Sequence, residues 1–181
     1  NNKNQSIDIE IPLPANFNYT QPYWLQQNGT IGMYRVDDQK QIGIPDIIRE
    51  IGVTFNININ GVSIPFERNV IYKYNDDVKG EVYRPLDVIP AVSTALLDKV
   101  VIFNTDKTRS VGVKIKAGKD NTKGDLFLEL PQNWKVSPKS IPFSLAKKDE
   151  EQTVYFEITP PKNADEIAAK SVAVVDGKRF D

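Results

Sequence analysis

The stretch Leu130 to Pro161, LPQNWKVSPKSIPFSLAKKDEEQTVYFEITPP, holds the clearest structural pattern in the chain and decides its fold class. In Thr153-Val154-Tyr155-Phe156-Glu157-Ile158-Thr159, the residues Val154, Phe156 and Ile158 fall on one face and Thr153, Tyr155, Glu157 and Thr159 on the other. A period of two is the mark of a strand with one face buried. Pro160 and Pro161 then remove two consecutive backbone donors and end the ladder. Upstream, a Pro-x-x-Trp turn leads into Trp134 and Val136, Pro138 stops that strand, and Phe143 and Leu145 open another before the charged turn Lys147 to Glu151.

The same style continues on either side. Lys99 to Asn104 reads as a strand, Val111, Val113 and Ile115 alternate with Gly112, Lys114 and Lys116, and Leu126, Leu128 and Leu130 form the next inward set. Between them, the polar run Gly118 to Gly124 has the composition of a hairpin loop. After Pro161, Ala164 to Lys170 predicts a helical turn, Val172 to Val175 a last strand, and Asp176-Gly177 a turn.

In the first half, Ile7, Ile9 and Ile11 alternate with Asp8 and Glu10, and Val53, Phe55, Ile57 and Ile59 alternate with Thr54, Asn56 and Asn58. Asn60-Gly61 separates that second strand from Val62, Ile64 and Phe66, which is the strongest short-range hairpin signal. Val70 to Tyr74 predicts a further strand ending at Asn75-Asp76-Asp77, and Pro45 to Glu50 is a helical candidate of one turn. Pro85 and Pro90 bracket an extended, stiff segment, which places a boundary near residue 89. The expected organisation is therefore all-β: two consecutive immunoglobulin-like β-sandwich domains, residues 1–89 with a long aromatic-rich connection and residues 90–181, each close to the ~100 residues of such a sandwich.

Composition narrows the function. With Lys plus Arg at 23 and Asp plus Glu at 24, no net basic field exists to attract nucleic acid or anionic lipid. Histidine and cysteine are both absent, which removes the usual zinc ligands, the commonest general base, and the Ser-His and Cys-His triads from this chain. No apolar run approaches the ~20 residues of a membrane helix, so membrane insertion is not expected. The start, NNKNQSIDIE, lacks a basic region followed by a hydrophobic one, and Arg179-Phe180-Asp181 follows a turn abruptly, so the chain reads as a fragment of a longer polypeptide.

The run Leu130 to Pro138, with Phe143-Ser144-Leu145 and Thr153 to Pro161, resembles the bacterial immunoglobulin-like modules called NPCBM-associated (NEW3) domains, which accompany glycan-active enzymes. Gln21-Pro22-Tyr23-Trp24-Leu25, Gly32-Met33-Tyr34, Asp38-Gln39 and Tyr72 to Pro85 extend the likeness over nearly the whole chain. Together they resemble the region downstream of the catalytic domain in large bacterial PIG-L family deacetylases, similar to the de-N-acetylases of N-acetylglucosaminylphosphatidylinositol. That family holds zinc with a His-Pro-x-Asp-Asp segment and a later His, none of which this chain has. The resemblance thus implies an accessory piece with no catalytic residue, metal site or cofactor of its own. It implies a location in the periplasm or cell envelope, with the catalytic domain of the same polypeptide as partner.

A glycan is the further expected partner, and its candidate contacts are Tyr19, Tyr23, Trp24 and Tyr34. They lie among Gln21, Gln26, Gln27, Asn28 and Gly29, and aromatic faces beside amide side chains suit a sugar's C–H face and its hydroxyls. Trp134 is expected instead to plug the core between two sheets. The acidic runs Asp37-Asp38, Asp76-Asp77 and Asp149-Glu150-Glu151 read as solvated turns, and Asp120, Asn121 and Asp125 lack the spacing of a calcium loop. Alternative readings are an autonomous carbohydrate-binding module and an adhesion or partner-docking protein.

Overall fold

Alternation becomes ladder in most places where the sequence shows it. A computed structural model describes residues 6–14, 16–44, 47, 49–163 and 166–181, and among them the chain is all-β with no α-helix. Its contacts separate into two compact units, Asn1–Val88 and Ile89–Asp181.

In the first unit, β1 (Gly52–Ile59) and β2 (Val62–Asn69) form an antiparallel hairpin. Asn60 and Gly61 both take positive φ, 51° and 84°, the twist that a two-residue hairpin turn needs. The register pairs Phe55 with Phe66, Ile57 with Ile64 and Ile59 with Val62, so one face of the ribbon is apolar from Phe55 to the turn, with Val53 opposite Arg68 at its far end. The other face carries Thr54 opposite Glu67 and Asn58 opposite Ser63. A second hairpin, β3 (Ile71–Asp76) and β4 (Gly80–Pro85), is separate from the first. Tyr72 and Tyr74 share one of its faces, ring centroids 5.6 Å apart, with the Arg84 guanidinium 5.5 Å from the Tyr74 ring. Arg49, its side chain 8% exposed, pairs with Asp87 at 3.3 Å. The expected strand through Ile7, Ile9 and Ile11 makes no ladder: the alternation is present, and no neighbouring strand is paired with it among the described residues. Part of the helical candidate Pro45 to Glu50 lies outside the described residues.

The second unit is β-sandwich-like, two four-stranded antiparallel sheets sharing one core. One sheet runs β5 (Val92–Leu96), β6 (Arg109–Ala117), β10 (Glu151–Thr159), β8 (Lys135–Ser137), and the other β12 (Lys178–Phe180), β11 (Lys170–Val175), β7 (Thr122–Glu129), β9 (Ile141–Leu145). The inward set of β10, Val154, Phe156 and Ile158, packs with Val111, Val113 and Ile115 of β6 against Leu126, Leu128, Phe143, Leu145 and Val175 of the facing sheet. Outward residues of β10 and β6 pair by charge, as Lys114 does with Glu151 at 3.1 Å. One hydroxyl pair links the sheets near an edge, Thr94 of β5 to Ser171 of β11 at 2.8 Å.

Four expectations change here. Gly118 to Gly124 is no hairpin loop, because β6 and β7 lie in different sheets and the polar turn carries the chain across the sandwich. Its backbone is fastened to neighbouring turns, Gly118 N–H to Ala91 O at 2.9 Å and Asn121 N–H to Ala146 O at 3.0 Å. Lys99 to Asn104 is irregular rather than a strand. Of the helical turn expected over Ala164 to Lys170, residues 164 and 165 lie outside the described ones, 166–169 are irregular, and Lys170 already belongs to β11. Asp176-Gly177, at φ 51° and 76°, is the turn expected, but it closes a hairpin to β12, a strand too short to show a period, so Val172 to Val175 does not lie in the last strand.

Candidate functional site

The aromatic candidates of the first unit occupy different environments. Pro22 starts a single 3-10 turn, Tyr23–Leu25, that sets Tyr23 and Trp24 edge to face, centroids 4.9 Å apart and planes at 87°. Tyr23 is the buried member, and its hydroxyl donates to Ile44 O at 3.4 Å. Its ring faces are spent on packing. Trp24 is half-buried, Tyr19 and Tyr34 are exposed, and no ring contact joins those two to the Tyr23–Trp24 pair among the described residues. The segment is held at Thr20, whose N–H donates to Val88 O and whose hydroxyl accepts from Val88 N–H, both at 2.8 Å.

Most carboxylates of the acidic runs are engaged in turns and pairs. Asp38 accepts from Lys40 N–H at 3.0 Å, and Asp37 accepts from Gln27. Glu150 accepts from Ala146 and Lys147 N–H groups at 2.7 and 3.0 Å. Asp120 accepts from Lys148 N–H at 2.7 Å. Asp76 takes the N–H groups of Lys79 and Val78, each at 2.9 Å, and these two hydrogen bonds hold its carboxyl below the ordinary value. Among the described residues no three Asp or Glu side chains converge in a metal-like cluster.

The second unit contains a cavity that sequence reasoning missed. At the end of the sandwich where β5 and β10 finish and β6 begins, the two sheets part around a space of about 640 Å3. Leu96, Val111 and Ile158 wall it from one sheet, and Leu130 with Ile167 and Ala169 from the other side. Trp134 and Phe103 complete it, edge-on to each other with centroids 5.3 Å apart. Trp134 does pack against the core, as expected, and it also borders this open end. Val100 to Phe103 carried the signal: an apolar run in a segment outside the named strands has no sheet face to bury it.

Comparison with known proteins adds no family: no family model matches the chain, and no curated protein matches it.

Proposed function

We propose that the chain is the non-catalytic accessory region of an extracytoplasmic PIG-L-like sugar deacetylase, in the periplasm or cell envelope, packing on or orienting the catalytic domain of the same polypeptide. Its architecture is read as two consecutive immunoglobulin-like sandwiches, the second similar to the NPCBM-associated module. The observation that carries the docking role is the apolar face of the β1–β2 ribbon. Phe55, Ile57, Ile59, Val62, Ile64 and Phe66 line one face, and each is exposed. A two-stranded ribbon is marginal in water by itself, and a contiguous exposed apolar face is characteristic of an interaction surface. The absence of histidine and cysteine supports the same reading.

The test is the longer polypeptide. A His-Pro-x-Asp-Asp segment is expected on the N-terminal side, and its absence sinks the deacetylase assignment. Amide exchange around Phe55 and Phe66 should be slower in that polypeptide than in residues 1–181 alone. A glycan-binding module is the second reading, favoured by the half-buried Trp24 ring beside Gln26, Gln27 and Asn28. It requires Trp24→Ala to abolish binding on a glycan array. Without the upstream segment, the same ribbon face fits an adhesion or partner-docking protein.

A further inference from the structure

The two edges of the β1–β2 ribbon are not alike. Because Asn60 and Gly61 form a two-residue turn, the closing pair Ile59–Val62 exchanges both backbone hydrogen bonds, and such pairs recur at Ile57–Ile64 and Phe55–Phe66. The pairs between them, Asn58–Ser63, Asn56–Pro65 and Thr54–Glu67, turn their N–H and C=O groups outward. On the β2 side Pro65 has no N–H, so that edge lacks a donor at its middle. On the β1 side Thr54, Asn56 and Asn58 each offer an N–H and a C=O, and among the described residues no other strand or loop backbone bonds to them. Such an edge is a template for one more strand. The chain also carries a strand pattern without a sheet. Residues 6–13 have no ladder partner, and Ile7, Ile9 and Ile11 stand 81%, 69% and 57% exposed.

We propose that residues 7–11 of a second copy of this chain add, antiparallel, to the outer edge of β1, and that the second copy receives the same segment in exchange. Pairing Ile9 with Ile57 sets Ile7 beside Ile59 and Ile11 beside Phe55, which carries the ribbon's apolar face onto a third strand. The same register sets Asp8 beside Asn58 and Glu10 beside Asn56, the positions whose backbone groups turn outward. No residue of β1 is charged, so these carboxylates meet amide donors and no like charge on that strand. A slip of one residue would set the isoleucines against the asparagines and lose both matches. Pro12 falls opposite Thr54, where the ladder needs a donor, and ends it there. Two strands are marginal in water, and a third with an apolar face supplies what they lack. Within one chain the structure leaves segment and edge unpaired, so each is satisfied by a neighbouring copy. Exchange of identical elements is a low-cost route to a dimer, and its two-fold symmetry closes the assembly at two chains. Strand exchange uses the ribbon's edge and the deacetylase reading its face, so neither stands or falls with the other.

Sedimentation of the whole 181-residue chain should show a reversible dimer at twice the mass of one chain. In a mixture of isotope-labelled and unlabelled chains, methyl contacts between Ile9 and Ile57 should cross from one copy to the other. Glu10→Pro removes a ladder donor from a segment that lies outside every strand, so the ribbon still folds, read by protection of the Ile57 and Ile64 amides. It should weaken the dimer by about tenfold or more. Asn56→Asp sets a carboxylate beside Glu10 and should weaken it about three- to tenfold. Asn56→Lys should strengthen it by a similar factor at low salt and lose the gain at high salt. A chain that stays monomeric at NMR concentrations overturns the proposal, and Ile9–Ile57 contacts within one chain overturn the second copy as donor. A dimer untouched by Glu10→Pro overturns it too, because ribbons that meet only by their apolar faces do not need that N–H.

Discussion

Phe103 lies edge-on to Trp134, ring centroids 5.3 Å apart and planes at 74°. The contact ties the irregular segment after β5 to the Pro131–Trp134 turn, which is itself closed by Trp134 N–H donating to Pro131 O at 3.0 Å. Full truncation of a buried Trp or Phe costs about 3–5 kcal/mol, and both rings here are only partly buried. Trp134→Ala should therefore destabilise the chain by about 2–3 kcal/mol in urea unfolding, and Phe103→Ala by less. The double mutant should show a coupling of about 0.5–1.5 kcal/mol, the range for an edge-to-face pair. Strict additivity would mean that the rings act separately.

Two glycines of the second unit are fixed by backbone rather than by conformation. A Cβ on Gly124 would sit 2.1 Å from Val174 O, and one on Gly118 would sit 1.9 Å from Pro90 O. Neither carbonyl can rotate away without opening the β7–β11 ladder or the turn beside β5. At Gly112 the obstacle is the Leu97 Cδ1 at 2.5 Å, the end of a flexible side chain. Gly124→Ala and Gly118→Ala should each cost about 3 kcal/mol or more, and Gly112→Ala about 1 kcal/mol or less, by urea midpoints at constant slope. Equal losses at all three would contradict the distinction between rigid and movable neighbours.

The β-strands were legible wherever a period of two coincided with a partner strand. Val154, Phe156 and Ile158 alternate because β10 is buried on one face between β6 and β8, and Asn60-Gly61 supplies the positive φ that its hairpin requires. Pairing itself is not local, and that is where the reading failed. Ile7, Ile9 and Ile11 alternate as well as β10 does, yet no strand pairs with them among the described residues. The composition of Gly118 to Gly124 marks a polar turn, which in the structure ends at Asn121 where β7 begins, and says nothing of which sheet the next strand joins. Around Trp24 the aromatic residues were visible, but the hydrogen-bond partner of the buried Tyr23 hydroxyl, Ile44 O, lies 21 residues away. The cavity is further still from local pattern, being a mismatch between two sheet ends.

Asp76 should titrate abnormally. Its carboxylate accepts from Lys79 and Val78 N–H groups, hydrogen bonds that favour the charged form and lower its pKa from 3.8. A folded pKa below the unfolded one contributes stability that is present above 3.8 and is lost as the pH falls through the folded value. The β3–β4 turn should thus hold at neutral pH and loosen only in acid below that range. Carboxyl NMR should give Asp76 a pKa under 3.8, with the Val78 and Lys79 amide shifts following the same curve. Asp76→Asn should remove that curve. A carboxyl that titrates at or above its ordinary value would mean the two N–H groups do not hold it in solution.

The apolar ribbon and the sandwich core should respond oppositely to the same kind of substitution. Phe156 is fully buried between the sheets, and Phe156→Ala should cost about 3–5 kcal/mol through lost transfer energy and the cavity it leaves. Phe55 and Phe66 face each other across β1–β2 at 54% and 41% exposure. Phe55→Ser with Phe66→Ser should change the unfolding of residues 1–181 by no more than about 0.5 kcal/mol, the usual limit for surface positions. It should also lower hydrophobic-dye binding and self-association, because the patch that attracts both is removed. In the longer polypeptide the result should reverse, with the serine pair exposing the ribbon's amides to exchange and loosening its partner. If the serine pair instead unfolds residues 1–181 as severely as Phe156→Ala does, the ribbon face belongs to the chain's own core and the docking role fails.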